Sequence, residues 1–279
     1  MKNLKSILAL AVAAGVALTA CTKADRSDDF PKGDPPPVSG GYTNSRQIEP
    51  ASLVGYWSFD GNLVDSVTSS VGTNHGMTYS AGLKGQALTG GPNSNKALAT
   101  APTSDGVKNM TQYTISLWVN STQNDGATGL VSITNSNDFW ANINIFLENG
   151  GSSTLARFKT IFQVGTYQAD NGIQDVQNGF GKWTQYTISY DGAGKFRSYV
   201  NGTLAAEKTT GTGASSFNNV GPIVFGALHF MVENPPVTTA GVQGWAGYLP
   251  GKMDEVRIYN KALTANQVLA LSILERQGR

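Results

Sequence analysis

Gly251-Lys252-Met253-Asp254-Glu255-Val256-Arg257-Ile258-Tyr259-Asn260 and Tyr56-Trp57-Ser58-Phe59-Asp60-Gly61 decide the fold. Each is a strand-like run that ends in a turn, and they lie at opposite ends of the body of the chain. Distant segments of this kind close antiparallel β-sandwiches by pairing side by side. Between them the sequence offers many short strands punctuated by glycine, so residues 51–279 read as one all-β domain, a two-sheet antiparallel sandwich. About 230 residues is an acceptable size for a single such domain.

The local pattern agrees. In Tyr113-Thr114-Ile115-Ser116-Leu117-Trp118-Val119, positions 113, 115, 117 and 119 put apolar groups on one face and Trp118 on the other. Ile143 and Ile145 alternate with Asn142 and Asn144. Further strands are expected over Thr128–Thr134, Ala156–Val164, Thr184–Tyr190, Lys195–Val200 and Ile223–Phe225. Trp183–Tyr190, the glycine-rich turn 191–194, Lys195–Val200, Asn201-Gly202 and Thr203–Glu207 form a three-stranded meander, because Asn-Gly supplies two residues that tolerate positive φ. Only the end is helical. Thr264 with Gln267 three residues on is a capping box, and it opens an apolar run that predicts a helix over 265–275 lying on the sandwich as a lid.

The N-terminus speaks of location. Lys2 and Lys5 precede an apolar run from Ile7 to Leu18, too short to span a bilayer. Leu18-Thr19-Ala20-Cys21 follows and resembles the lipobox of bacterial lipoproteins, in which the cysteine is lipidated after cleavage. Cys21 is the only cysteine, so no internal disulfide forms. Residues 1–20 are thus expected to be a lipoprotein signal peptide. Residues 21–50, with Asp25, Asp28, Asp29, Pro31 and Pro35-Pro36-Pro37, are expected to be the lipidated cysteine and a flexible linker. Acidic residues after such a cysteine resemble a surface-export signal. The expectation is a lipid anchor in the outer membrane with display at the cell surface, a periplasm-facing leash being the alternative.

Without Lys2 and Lys5 the chain carries 18 basic against 19 acidic side chains, and only 14% of all residues are charged. No basic stripe exists for nucleic acid. Such a surface suits neutral, hydroxyl-rich ligands.

Several pieces, in order, resemble the laminin-G-like, concanavalin A-like jelly-roll family. They are Tyr56–Asn62 with Asp65, Gly82-Leu83-Lys84-Gly85-Gln86-Ala87-Leu88, Tyr113–Val119, Trp183–Tyr186 leading to Tyr190-Asp191-Gly192, Tyr199–Gly202, and Met253–Thr264. The resemblance spans about 53–270. It implies two face-to-face antiparallel sheets, one concave, carbohydrate or protein binding on secreted or surface proteins, and in many members a calcium ion near the sheet edge. Relatives with the same sandwich include glycan-cleaving enzymes.

Candidate sites follow. Asp60 and Asn62 in a tight turn and Asp254 on the last strand, which the family places near the first, are the expected ligands of a structural calcium ion. Sugar binding needs aromatic faces beside amide and carboxylate groups. Trp140, Tyr167, Trp245 and Tyr248 are the candidate platforms, with Asn142, Asn144 and Gln163 as a polar face and His229 in the loop before Pro235-Pro236. Trp57, Trp118 and Trp183, set within strands, read as core. Glycoside hydrolysis needs two carboxyl groups across one bond. No Glu-x-Asp-x-Glu spacing occurs, Glu148 and Glu233 lack a carboxylate neighbour in sequence, and Asp254 and Glu255 should point to opposite faces. Glu255 and Arg257 read as a surface ion pair. The expected function is a non-catalytic carbohydrate-binding lipoprotein recognising a polysaccharide or glycoconjugate. The alternatives are an adhesion module contacting a protein partner in the outer membrane, and a glycoside hydrolase.

Overall fold

A computed structural model describes residues 37–123, 126–164, 167–210 and 213–279, with backbone alone for 163–164 and 167–172. The signal segment, Cys21 and the aspartate-proline stretch lie outside the described residues. The strands in chain order are β1 (Leu53–Trp57), β2 (Thr73–His75), β3 (Thr78–Ala81), β4 (Gln86–Thr89), β5 (Leu98–Ala101), β6 (Tyr113–Ser121), β7 (Ala127–Asn135) and β8 (Ile143–Asn149). Next come β9 (Ala156–Val164), β10 (Tyr167–Val176), β11 (Thr184–Tyr190), β12 (Lys195–Val200), β13 (Thr203–Thr209), β14 (Val220–Phe225), β15 (Ala246–Gly247) and β16 (Gly251–Tyr259). A single-turn helix α1 (Asp105–Lys108) precedes β6, and α2 (Ala265–Arg276) ends the chain behind the expected Thr264–Gln267 capping box.

Two eight-stranded sheets form the sandwich. The first runs β13-β12-β11-β6-β16-β4-β3, with β1 also on β16, and the second runs β10-β9-β8-β7-β14-β5-β2, with β15 beside β7. The first and last strands pair antiparallel as expected, Trp57 opposite Val256. β15 on β7 is a parallel contact. The β11-β12-β13 meander is present, and its Asn201-Gly202 turn has φ of 51° and 81°.

The core lies between the sheets. Tyr113, Ile115, Leu117 and Val119 of β6 face Ile143, Ile145, Phe158, Phe162 and Phe225 of the second sheet, all in one buried cluster. Rings meet across the gap: Phe162 on Phe196 at 4.0 Å, Phe158 on Tyr186 at 4.8 Å and Trp57 against Phe225 at 5.1 Å. Each such side chain contributes about 1.5–3 kcal/mol by leaving water, which makes this layer the source of the fold's stability.

β16 departs from simple alternation. Its partner on β6 shifts from Trp118 opposite Asp254 to Ser116 opposite Arg257, so two residues, Glu255 and Val256, oppose one. Glu255 holds φ 49° at this bulge. Met253, Val256 and Ile258 all reach the core cluster, which leaves Asp254 and Glu255 both outside it. The expectation that they point to opposite faces fails for this reason. Arg257 and Glu255 are not at the surface either. They lie at 1% and 0% side-chain exposure, 2.8 Å apart.

The outer face of the first sheet is closed. α2 and the segment before β1 lie on it through Ile48, Tyr199, Tyr259, Leu263, Val268, Leu271 and Leu274. Residues 38–50 are therefore part of the domain and not linker, which corrects the boundary drawn at residue 50. Ser45 and Ile48 are buried, Ser45 Oγ donates to the Arg279 carbonyl at 2.8 Å, and Asn44 caps a 3-10 turn over Ser45–Gln47. Val38 and Tyr42 pack on the same cluster. The proline run hid these apolar anchors. No helix among the described residues is long and apolar enough to cross a membrane.

Candidate functional site

With one sheet covered by α2, aromatic side chains gather on the outer face of the other. The loop 136–142 between β7 and β8 carries Phe139 and Trp140. Buried Asn135 shapes it, its Oδ1 accepting from the amides of Asn137 and Asp138 and its Nδ2 donating to Asp138 Oδ2 at 2.7 Å. The segment after Pro236 straps it down, Thr238 and Thr239 hydroxyls donating to the carbonyls of Asp138 and Asn137. Trp245 arrives on the same segment, anchored where β15 joins β7 and where its carbonyl accepts from Ala127 N–H at 2.9 Å. Gly126 permits that approach, because a Cβ there would stand 2.6 Å from the Trp245 carbonyl.

The rings form one cluster. Trp140 lies 6.0 Å from Trp245 and 5.1 Å from Phe139, and stacks on Phe146 at 6.1 Å and 16°. Phe230 closes the underside, 5.1 Å from Phe139 and 5.4 Å from Trp245. Phe139 and Trp245 remain 42% and 43% exposed, which is unusual for such rings and leaves apolar faces open to solvent. Lys159 sets its ammonium 5.4 Å above the Phe146 ring and 3.4 Å from Glu148, so donors and an acceptor stand at the rim. An array of this kind can stack on the C–H face of a ring while flanking polar groups bind its hydroxyls.

Of the expected binding residues, the structure unites Trp140 and Trp245 here. His229 is beneath them, fully buried, its Nε2 2.8 Å from the Phe139 carbonyl. A carbonyl only accepts, so Nε2 carries the proton. Burial lowers the imidazole pKa, and the ring stays neutral at pH 7. His229 therefore positions Phe139 and does not reach solvent.

Asn142 and Asn144 are also buried and engaged with the protein itself. Asn142 donates to the carbonyls of Thr134 and Asn218 and accepts from Asn218 N–H. Asn144 accepts from Ser132 and donates to the Ala141 carbonyl. They brace the loop and offer nothing to a ligand. Tyr248 is buried elsewhere, its hydroxyl on the Met231 carbonyl at 3.2 Å. The side chains of Tyr167 and Gln163 lie outside the described residues. Phe139, Phe146, Phe230 and Lys159 were not singled out by sequence. The Phe-Trp pair at 139–140, after an Asn-rich turn, was the one signal that could have found the first of them.

The calcium ligands are arranged otherwise than expected. Asp254 Oδ2 accepts the amides of Leu83 and Lys84, and its Oδ1 accepts that of Glu255. Asp60 Oδ1 accepts Gln86 N–H at 2.7 Å from the other end of the same turn. Asn62 Oδ1 accepts Val64 N–H. Among the described residues, amide protons bond Asp254 Oδ1 and Oδ2, Asp60 Oδ1 and Asn62 Oδ1, leaving Asp60 Oδ2 alone of the set without an amide contact, and no three His, Cys, Asp or Glu side chains gather to hold a metal. These residues do not fit a shared calcium ion. A chelator such as EGTA is accordingly expected to leave the melting temperature unchanged; a lower melt that added calcium restores would reverse this assignment.

Among the described residues the candidate carboxylates form no open catalytic pair. Glu148 bonds Lys159, and Glu233 bonds Lys96 at 2.7 Å. Two carboxyl groups do converge, Glu255 and Glu275 on Arg257, but both have 0% side-chain exposure on the face that α2 covers.

Comparison with known proteins agrees with this architecture. Domain 4 of AbnA, a GH43 extracellular arabinanase from Geobacillus stearothermophilus solved with arabinotriose, matches 79% of this chain and 98% of its own at 24% identity and a TM-score of 0.55. The binding domain of Paraclostridial Mosquitocidal Protein 1 matches at 16% identity and a TM-score of 0.60, and that of botulinum neurotoxin serotype G at 14% and 0.57. The chain covers 52% and 51% of those two toxin structures, with 80% of its own length in each match. At these identities the likeness is one of fold. No curated protein matches by sequence. The family model described as the concanavalin A-like lectin/glucanases superfamily matches residues 92–269, well over half of the 279 residues, and the chain belongs to that superfamily.

Proposed function

We propose that this protein is a non-catalytic carbohydrate-binding lipoprotein that holds a neutral polysaccharide or glycoconjugate against the aromatic platform of Phe139, Trp140 and Trp245. The observation that carries the reading is the convergence of these rings on the one sheet face that α2 leaves open, with two of them more than two fifths exposed. A solvent-facing aromatic cluster rimmed by Lys159 and Glu148 matches the mixed apolar and hydrogen-bonding character of a sugar. The low charge of the chain points to a neutral ligand. The arabinotriose bound to the arabinanase domain supports the class of ligand by analogy of fold.

Affinity electrophoresis of the full-length chain through gels containing arabinan, xylan, mannan or β-glucan tests the proposal. At least one is expected to retard it. Free migration in all of them, and no capture on a wider glycan array, would remove it.

The tether belongs to the same proposal. Lipid on Cys21 would hold the domain at the outer membrane, with residues 22–36 as the leash and the platform turned toward extracellular glycan. Palmitate labelling is expected for the native chain and lost in Cys21→Ser; equal labelling of both would refute the anchor.

A further inference from the structure

Beside the platform lies a separate cleft of about 130 Å³, lined in part by His75, Lys96, Leu98, Met231, Glu233 and Tyr248. We infer that this cleft is a subsite for one neutral sugar unit, recognised through the Lys96–Glu233 ion pair. The inference rests on the proposed carbohydrate function for its class of ligand.

The cleft is built by the same elements as the platform. Phe230 underlies the exposed rings, and Met231, Val232, Glu233 and Asn234, which follow it directly, line the cleft. Trp245 belongs to the platform, while Tyr248, three residues on, lines the cleft and ties back through its hydroxyl to the Met231 carbonyl. The two places therefore share one loop and one sheet face, as neighbouring units of a single chain would require. At about 130 Å³ the open cleft admits one edge or face of a single sugar ring and not a polymer.

Its chemistry selects a neutral polyol. Lys96 Nζ and Glu233 Oε1 are 2.7 Å apart, with 60% and 43% of their side chains exposed. An exposed pair of this kind contributes little to stability, so its geometry is free to serve a ligand. A pair of adjacent hydroxyls presents one oxygen to accept from the ammonium and one O–H to donate to the carboxylate. Both are charge-assisted hydrogen bonds. The two charges sum to zero, so the pair gives the cleft no net attraction for an anionic or a cationic unit. Leu98, Met231 and the Tyr248 ring give the apolar wall that the C–H face needs.

The chain has two histidines, and they report separately. His75 lines the cleft, and His229 lies under the platform. Imidazole resonances of the full-length protein, assigned with His75→Gln, are followed during titration with glucose, galactose, mannose, xylose and arabinose, and with glucuronate and glucosamine as charged probes. At least one neutral sugar is expected to shift His75 saturably. The charged probes should bind no more tightly than the neutral sugar, and Lys96→Gln and Glu233→Gln should each weaken the response by about ten-fold. A silent His75, a tighter response to either charged probe than to every neutral sugar, or an unchanged response in both variants would overturn the subsite. Gel retardation with His75 silent fails the cleft and leaves the platform standing. A responsive His75 with no retardation on any polysaccharide supports the cleft and fails the platform.

Discussion

Trp245→Ala is expected to abolish most of the retardation by polysaccharide, with a loss of about 2 kcal/mol, or roughly 30-fold in affinity, and to lower the melting temperature by only a few °C. The two halves of the expectation have different origins. Trp245 is 43% exposed and sits at the open edge of the ring cluster, 6.0 Å from Trp140 and 5.4 Å from Phe230. Truncating it removes a face that a sugar ring would cover but opens no cavity in the core. Its backbone, which carries the contacts with Ala127, is untouched by the change. Trp140→Ala is the less clean experiment, because Trp140 also stacks on Phe146 and meets Phe230, so binding and stability fall together. Trp245→Phe should restore part of the affinity, since a smaller ring still offers an apolar face. Native retention by Trp245→Ala would place the binding surface elsewhere on the domain.

The contrast between what the sequence disclosed and what it hid has a physical pattern. Strands with long alternation, such as β6 and β9, were legible, because burial on one face imposes a period of two. So were the Asn201-Gly202 turn and the Thr264 cap, where one residue type satisfies one backbone requirement. β2, β3 and β5 have three or four residues each, too few to show a period. The β16 bulge was invisible for a related reason: an extra residue at 255 leaves composition unchanged yet turns Asp254 and Glu255 both away from the core. Site residues divide in the same way. Trp140 and Trp245 were legible as aromatics among polar neighbours. Asn142, Asn144 and His229 carried the right chemistry, but periodicity does not distinguish a polar group offered to a ligand from one that braces a loop. That difference is set by tertiary partners, here Asn218, Ala141 and Phe139.

Arg257→Ala is expected to lower stability by about 3–5 kcal/mol and the melting temperature by on the order of 10 °C, and native stability should decline as pH rises from about 6.5 to 8, above the range in which His229 titrates in the unfolded chain. Both follow from one buried cluster. Arg257 Nε donates to Glu275 at 2.6 Å and an NH2 group donates to Glu255 at 2.8 Å, while its guanidinium lies 3.9 Å from the Tyr56 ring centre. Trp118 Nε1 and Gln185 Nε2 donate to Glu275, the Tyr56 hydroxyl donates to Glu255, and Ser45 Oγ accepts from Arg257. Two carboxyl groups thus share one guanidinium. Removing it leaves both buried without their cation, whereas Glu275→Gln keeps the cation and removes one titrating group, but turns an amide NH2 toward buried donors. Burial raises the Glu275 pKa against the opposing pull of Arg257, and burial also pushes Asp254 up to about 8 despite its amide bonds. In the unfolded chain both lose their protons near pH 4. Between there and the raised folded values, the native state holds more protons than the unfolded state, so stability falls with rising pH, by about 1.4 kcal/mol per unit for each proton fully retained. Glu49, Asp175 and Glu207 act in the other direction. Hydrogen bonds from Lys261, Arg157 and Lys195 hold these carboxylates below the ordinary range, and their contribution is lost on acidification; the buried, neutral His229 acts likewise below about pH 6.5, where the unfolded imidazole takes up a proton. The stability maximum should therefore lie on the mildly acid side of neutrality. Thermal melts of the native chain, Arg257→Ala and Glu275→Gln from pH 4 to 9 measure this directly. If Arg257→Ala does not fold, Glu275→Gln still decides the matter through its slope: the amide faces buried donors, so it should melt below the native chain, but its decline toward pH 8 should be shallower. A native profile that rises through pH 6.5 to 8, or a Glu275→Gln profile parallel to it, would show that the cluster holds no proton beyond those of ordinary carboxylates.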